Sequence, residues 1–114
     1  MYRYKCTLDR IVDGDTLDAW IQLGFKVSLH KRVRLYGINS PESRTRDLEE
    51  KARGLASKEH LTKLVAPEFY LVSHDQGIYG RCLGTIYKDE KFGTSINQQM
   101  VDSGFAVVYL GGKR

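Results

Sequence analysis

Residues 2–9, YRYKCTLD, alternate apolar and polar side chains and set the pattern for the first third of the chain. A period of two is typical of a half-buried β-strand, because successive side chains point to opposite faces. The turn-forming residues 13–15 (DGD) follow, and residues 16–23 and 27–36 have the composition of two more strands, joined near Gly24. The sequence therefore predicts a three-stranded antiparallel meander.

The rest of the chain predicts two helices and two further strands. Residues 44–53 are dense in charge and predict a loop or loose first turns, and the helical phase changes at Gly54. A firm helix is expected from about residue 54 to 65, ended by Pro67. Strands are expected over 69–72 and 81–87, a short helix over 95–103 with Ser95 as its cap, and an extended piece over 105–109.

This order of elements predicts a mainly β fold of the α+β class. Three meandering strands, a helix and two more strands are what a five-stranded OB-fold barrel needs, with the first helix capping one end and a short C-terminal helix after it. With 114 residues, the chain has the length of one domain, expected over residues 1–110 and followed by a flexible basic tail at 111–114.

Composition excludes several classes of protein. Hydrophobic residues make up 41% of the chain and charged residues 28%, so the chain can bury a core and is not a disordered segment. No apolar run approaches the roughly 20 residues of a membrane span, and no membrane partner is expected. The net charge of +4 is compatible with a polyanionic partner.

The cysteines and the first residues of the chain indicate the cellular compartment in which the protein is expected. Cys6 and Cys82 lie in predicted strands without a Cys-x-x-Cys spacing, so buried thiols are favoured over a zinc site or a disulfide. The chain begins without the apolar region of a signal peptide. If Met1 is the natural initiator, a cytoplasmic protein is expected; if the sequence starts inside a longer one, a leader could precede it.

Three short segments carry chemically capable residues, and each alone has an ordinary structural explanation. Residues 13–16 (DGDT) are a common turn whose carboxylates could also bind a hard cation. Residues 34–42 (RLYGINSPE) place Arg34 on an apolar-leaning face, where it could be a surface residue or meet a phosphate bidentately. Residues 75–81 (DQGIYGR) suggest a glycine-rich hairpin or a tyrosine exposed for base stacking.

Taken together, the three segments predict phosphodiester hydrolysis. A cation held by carboxylate and carbonyl oxygens polarises a phosphoryl oxygen, a carboxylate orients or deprotonates water, and two guanidinium groups stabilise the charge that grows on phosphorus.

In this order, the segments resemble the motifs of the staphylococcal nuclease (thermonuclease) family over nearly the whole chain. The resemblance implies an OB-fold enzyme that hydrolyses DNA and RNA with Ca²⁺ and leaves 3′-phosphate ends. We further expect a monomer without a small-molecule cofactor. The resemblance implies Arg34, Glu42 and Arg81 as catalytic residues, with Glu42 as general base or water-positioning group. The remaining implied site residues are the metal ligands Asp15, Asn39 and Ser40 (through its carbonyl), the outer-sphere acid Asp13, and Tyr79 for substrate contact.

Two features depart from the family pattern, and one rival reading stays open. Asn39 stands where the best-known members have an aspartate, so weaker Ca²⁺ binding is expected because ligand charge tunes affinity. The chain also stops soon after the last predicted strand. The alternative is a catalytically silent nucleic-acid-binding OB-fold module, which would have no need for Arg34, Glu42 and Arg81 together. Trp20 is expected in the core.

Overall fold

Five strands close into a barrel in the computed structural model, which describes residues 3–76, 82–89, 91 and 93–109. The order around the barrel is β1-β2-β3-β6-β5, antiparallel except for the parallel pair β3–β6. The elements in chain order are β1 Arg3–Asp13, β2 Thr16–Gly24, β3 Val27–Leu35, β4 Ile38–Asn39, α1 Leu48–Leu64, β5 Glu68–Gln76, β6 Cys82–Tyr87, α2 Ile96–Asp102 and β7 Val107–Val108. The predicted OB-type α+β barrel is confirmed.

The core follows from the alternation of the strands. Leu17, Ala19 and Ile21 of β2 are buried inside the barrel, with Leu71 of β5 and Ile86 of β6 facing the same interior. The two cysteines, Cys6 and Cys82, are buried free thiols as predicted. Burial raises the pKa of the Cys6 thiol to about 12, so this cysteine stays protonated and unreactive.

Helix α1 begins six residues earlier than the sequence predicts. It starts at Leu48, and the Asp47 carboxylate caps it by accepting hydrogen bonds from the backbone N–H groups of Glu49 and Glu50 at 3.0 and 3.3 Å. An aspartate cap and acidic residues in the first turn favour a helix start because they satisfy unpaired N–H groups and oppose the helix dipole. The prediction of a loop or loose first turns over residues 44–53 was wrong from residue 48 onward, because it overlooked this cap.

The C-terminal elements return the chain to the middle of the sequence. Ser95 caps α2 as predicted, accepting from the Gln98 N–H at 3.0 Å. The extended piece predicted after it is a two-residue strand, β7, which pairs with β4 and so lies beside Asn39. The buried Asn97 side chain of α2 donates hydrogen bonds to the carbonyls of Tyr36, just after β3, and of Gly84 in β6. These bonds tie α2 to the barrel.

The prediction that Trp20 belongs to the core was wrong. Its side chain is 46% exposed, on the outer face of β2. Trp20 shares its strand parity with Asp18, whereas Ala19 and Ile21 point into the barrel. In the described part of the chain, no helix combines the length and hydrophobicity needed to span a membrane.

Candidate active site at the barrel rim

Asp15 lies at the turn between β1 and β2 and is fully buried. Its carboxylate accepts hydrogen bonds from the backbone N–H of Ser40 at 3.0 Å and from the Thr16 hydroxyl at 2.8 Å. Its backbone carbonyl accepts from the Leu35 N–H at 2.8 Å. The DGDT turn is therefore more than a solvated loop, because it holds the end of β3 and the residue after β4.

Arg34 is brought against Asp15 by the pairing of β2 with β3, in which Thr16 and Arg34 are opposite each other. One guanidinium nitrogen, Nη1, lies 3.5 Å from Asp15 Oδ2 and donates to the Leu35 carbonyl at 2.9 Å. Arg34 is buried, not a surface arginine. The structure therefore joins three of the predicted residues, Asp15, Arg34 and Ser40, in one cluster.

Asp13 holds the same loop from a second point. Its Oδ1 accepts from the Ser43 N–H at 3.2 Å and from the Ser43 hydroxyl in a short hydrogen bond. Residues 40–43, here named the clamped segment, are thus fixed at both ends by the two aspartates of one turn. Glu42 lies inside this segment and its side chain is exposed. The clamp can hold the Glu42 backbone in place while its carboxylate faces solvent.

Two glycines let α1 seat the clamped segment. A Cβ at Gly54 would overlap the Glu42 carbonyl and approach the Ser43 nitrogen to 2.6 Å. A Cβ at Gly14 would lie 2.7 Å from the Ser57 Cβ. The sequence interpretation placed a change of helical phase at Gly54 and expected the firm helix to begin there. The signal available was that a glycine inside a helix costs about 1 kcal/mol relative to alanine and so needs a packing reason.

The oxygen atoms of this cluster are of the types that a hard cation accepts, although both carboxylate oxygens of Asp15 already accept hydrogen bonds. Among the described residues, no group of three or more His, Cys, Asp or Glu side chains could hold a metal ion. A cation here would therefore rely on one carboxylate, Asp15, with amide and carbonyl oxygens from its neighbours. Asn39 Oδ1 is buried without a hydrogen-bond partner in the described part of the chain, and the Ser40 carbonyl is next to it in sequence. Carboxylate, amide and carbonyl oxygens are donors that Ca²⁺ accepts.

A cavity of about 510 Å³ adjoins this cluster. It is lined by Asn39, Ser40 and Pro41 on one side, by α1 residues including Arg53 and Ser57 on another, and by residues 104–107. The Asn39 region is therefore reachable from outside the barrel although Asn39 Oδ1 is itself buried.

Two predicted site residues, Tyr79 and Arg81, lie outside the described residues, as does the predicted tail at 111–114. In the described part that borders them, Gln76 pairs with Cys82 across β5 and β6, and Cys82 also pairs with Val33, the residue before Arg34.

Comparisons with known proteins match most of the chain to one family. The family of staphylococcal nuclease homologues matches residues 32–113, more than two thirds of the sequence. A protein described as probable staphylococcal-like nuclease CAN1, from Oryza sativa subsp. japonica, is 38% identical over 79 residues, which cover 68% of this chain. The aligned region spans only 21% of that protein's length. The matched range includes Arg34 and the clamped segment but begins after the DGDT turn, whose connection to them is seen in the hydrogen bonds above.

Proposed function

We propose, since the chain belongs to the family of staphylococcal nuclease homologues, that it is a metal-dependent nuclease that hydrolyses phosphodiester bonds in DNA and RNA and leaves 3′-phosphate ends. The observation that carries the proposal is the clamp. Both aspartates of the DGDT turn hold residues 40–43, so one small unit brings together the two aspartates, Arg34 and the segment that carries Glu42.

Arg34 is proposed to stabilise the charge that develops on the phosphoryl oxygens. Its guanidinium is pre-positioned by the Leu35 carbonyl and by Asp15, so little side-chain ordering remains when a phosphate arrives. Arg81 is proposed as a second guanidinium on the same phosphate, and Tyr79 as a substrate contact; both assignments rest on the family motif.

Glu42 is proposed to orient or deprotonate the attacking water. An exposed carboxylate on a segment fixed at both ends meets the two needs of a general base, which are access to water and a defined position. Asp15, Asn39 Oδ1 and the Ser40 carbonyl would hold Ca²⁺, with Asp13 acting from outside the ligand set through the segment it anchors. The chemistry supplied by a bound Ca²⁺ is polarisation of a phosphoryl oxygen.

Replacement of Glu42 separates an enzyme from a silent binding module. Glu42→Gln keeps the size of the side chain and removes its basicity, so single-turnover cleavage with Ca²⁺ should fall by about 10²–10⁴. Oligonucleotide affinity should hold or tighten because a negative charge leaves a polyanion site. Glu59→Gln, on the exposed face of α1, is the matched control and should cleave like the unaltered protein.

The metal requirement is tested in parallel. Cleavage of single-stranded and plasmid DNA should require Ca²⁺ and stop in EDTA. Full activity in EDTA would contradict the requirement for a metal ion. A Glu42→Gln protein that cleaves at the normal rate would remove Glu42 from the mechanism. Binding of oligonucleotides without any cleavage by the unaltered protein would support the silent module.

A further inference from the structure

The outer face of β2 and β3 carries a continuous line of side chains that begins at Arg34. In the register of β2 with β3, the residues of this line lie opposite each other in pairs, and their side chains point away from the barrel interior. The successive rows are Thr16 with Arg34, Asp18 with Arg32, and Trp20 with His30. Because strands rise about 3.3 Å per residue, the Trp20–His30 row lies roughly 13 Å along the sheet from Arg34.

Trp20 is an exposed aromatic surface held in a fixed orientation. Its ring centroid lies 4.6 Å from that of His30, and the His30 Nε2 makes a 2.8 Å hydrogen bond with Asp9 Oδ2. Asp9 reaches this face because the β1 register shifts between Leu8 and Arg10, which makes Asp9 the extra residue of a bulge. Asp9 at the bulge thus contacts His30, and His30 contacts the Trp20 indole, on the outer face of the barrel.

A recess of about 270 Å³ opens beside the indole. It is lined by Thr7, Trp20, Gln22, Lys26 and Ser28, with Gly24 and Val27. The recess therefore combines an aromatic wall, hydroxyl and amide groups that can hydrogen-bond to a base edge, and one cation. Polar and charged residues around a single aromatic ring suit a nucleotide better than an apolar protein surface, whose interface core is depleted in charged residues.

The row between Trp20 and Arg34 carries a net positive charge. Arg10 and Arg32 both donate to the Asp18 carboxylate, each with an Nε–oxygen distance of 2.9 Å. Two guanidinium groups share one carboxylate, and hydrogen bonds from Arg32 and then Arg10 hold the pKa of Asp18 below its usual range. Asp18 is therefore ionised at neutral pH, and two arginines with one carboxylate give this row a charge of +1. It faces the same side of the sheet as the recess.

We infer that this face is a track for single-stranded nucleic acid beyond the scissile phosphate, with one base stacked on Trp20 and the backbone passing Arg10 and Arg32. The inference deepens the proposed function and rests on it for the identity of the polymer. Two observations carry it: charge complementarity to a phosphate backbone and continuity of the strand faces with Arg34. Aromatic stacking and a basic groove are the general means by which OB folds hold single strands.

Trp20 is the only tryptophan of the chain, so its emission reports on this track directly. The unaltered protein, and the Glu42→Gln variant to limit turnover, are titrated with oligothymidylates of two and of about eight nucleotides, within the roughly 4–16 that one OB fold covers. The longer strand should quench the emission on binding, and the dinucleotide should not. Binding of the longer strand, measured by anisotropy of a labelled oligonucleotide, without a change in Trp20 emission would overturn the inference.

Substitutions provide the second measurement. Trp20→Ala should weaken binding of the longer strand by roughly 5- to 150-fold, the usual range for loss of one base-stacking aromatic. Leu55→Ala on α1 is the control, since Leu55 is exposed to nearly the same extent, 48%, but lies on another face. Arg10→Gln should lower the salt slope of log affinity by about 1 and leave Asp18 paired with Arg32.

The result distinguishes this inference from the proposed function. Cleavage of the longer strand with equal affinity in the Trp20→Ala and unaltered proteins would reject the track and keep the nuclease. Emission quenching without cleavage would keep the track and reject the nuclease. Emission that depends on protein concentration but not on oligonucleotide would point to contact between copies of the chain and overturn the track.

Discussion

Two arginine–aspartate pairs occupy neighbouring rows of the same two strands and have different surroundings. Arg34 and Asp15 lie at the barrel rim, with side chains 8% and 0% exposed and 3.5 Å between Nη1 and Oδ2. Arg32, two residues earlier in β3, lies 2.9 Å from Asp18, and its side chain is 44% exposed. The shorter separation belongs to the pair whose arginine faces solvent, although the Asp18 side chain is itself only 8% exposed.

The cover over the ion pair, not the pairing itself, distinguishes a candidate catalytic arginine from a surface one. The clamped segment bonds to Asp15 and α1 packs on that segment through Gly54, so the rim pair is enclosed. Nothing among the described residues covers the Arg32 guanidinium in the same way. Burying both members of an ion pair is costly and rarely adds stability, and of these two pairs only the rim pair has both side chains buried. The enclosed pair is therefore the one for which a functional reason is needed.

The largest expected effect separates the two arginines directly. Arg34→Lys keeps a charge beside Asp15 but loses the planar fork, and Arg34→Ala loses both, so cleavage should fall by about 10²–10³ in each. Arg32→Ala should raise KM for long substrates by less than about tenfold and spare kcat, because it lies along the track. Single-turnover and steady-state cleavage measure both, with circular dichroism to check folding. Equal losses at the two positions would show that burial does not separate the roles of the two arginines.

A smaller effect is expected from lifting the cover. Gly54→Ala must move α1 away from the Glu42 carbonyl, and a displacement of about 1 Å at a reacting group can cost up to about 10² in rate. We expect kcat to fall by about 10–100-fold, while the variant still folds in the absence of Ca²⁺. Gly93→Ala is the matched control, since a Cβ there meets nothing within 4 Å. Equal kcat in the two variants would show that the position of the clamped segment does not matter.

Asn39 tests the composition of the rim. Its Oδ1 has no partner among the described residues, so Asn39→Asp adds a charge where a cation would bind. Ca²⁺ affinity measured by calorimetry should increase about tenfold, because carboxylate charge tunes such sites. The metal-free variant should also unfold at lower denaturant concentration, since a second carboxylate lies near Asp15 without a cation. Weaker Ca²⁺ binding would argue against Asn39 as a ligand.

The smallest effect concerns the pair formed by Asp18 and the solvent-facing Arg32, and its pH dependence. Because hydrogen bonds from Arg32 and Arg10 lower the pKa of Asp18, the carboxylate stabilises the fold above its unfolded pKa of about 3.9. This stabilisation is lost as the pH falls through the lowered folded pKa. The difference in free energy of unfolding between the unaltered protein and Asp18→Asn should thus be larger near pH 6 than near pH 2. Parallel pH profiles would contradict a lowered pKa.

The sequence predicted much of the barrel because strand alternation is a local property. The three-stranded meander, the Ser95 cap and the burial of both cysteines could all be read from period and composition. The start of α1 was also local information, present in Asp47, Glu49 and Glu50, but the density of charge in residues 44–53 obscured it. Gly54 was misjudged because the atom that requires it, the Glu42 carbonyl, belongs to a segment twelve residues earlier.

The amino-acid sequence alone specifies which residue types are available for the chemistry: two arginines, a glutamate, an Asp-Gly-Asp turn and the motif order of a nuclease family. The contacts that hold these residues are set by the fold. It placed Ser40 and Ser43 on the two aspartates, buried Arg34 while leaving Arg32 exposed, and turned Trp20 outward. The reason is that alternation with a period of two shows only which side chains share a face of a strand. Which face becomes the interior depends on what closes over it, and in this barrel the covering residues come from distant parts of the chain.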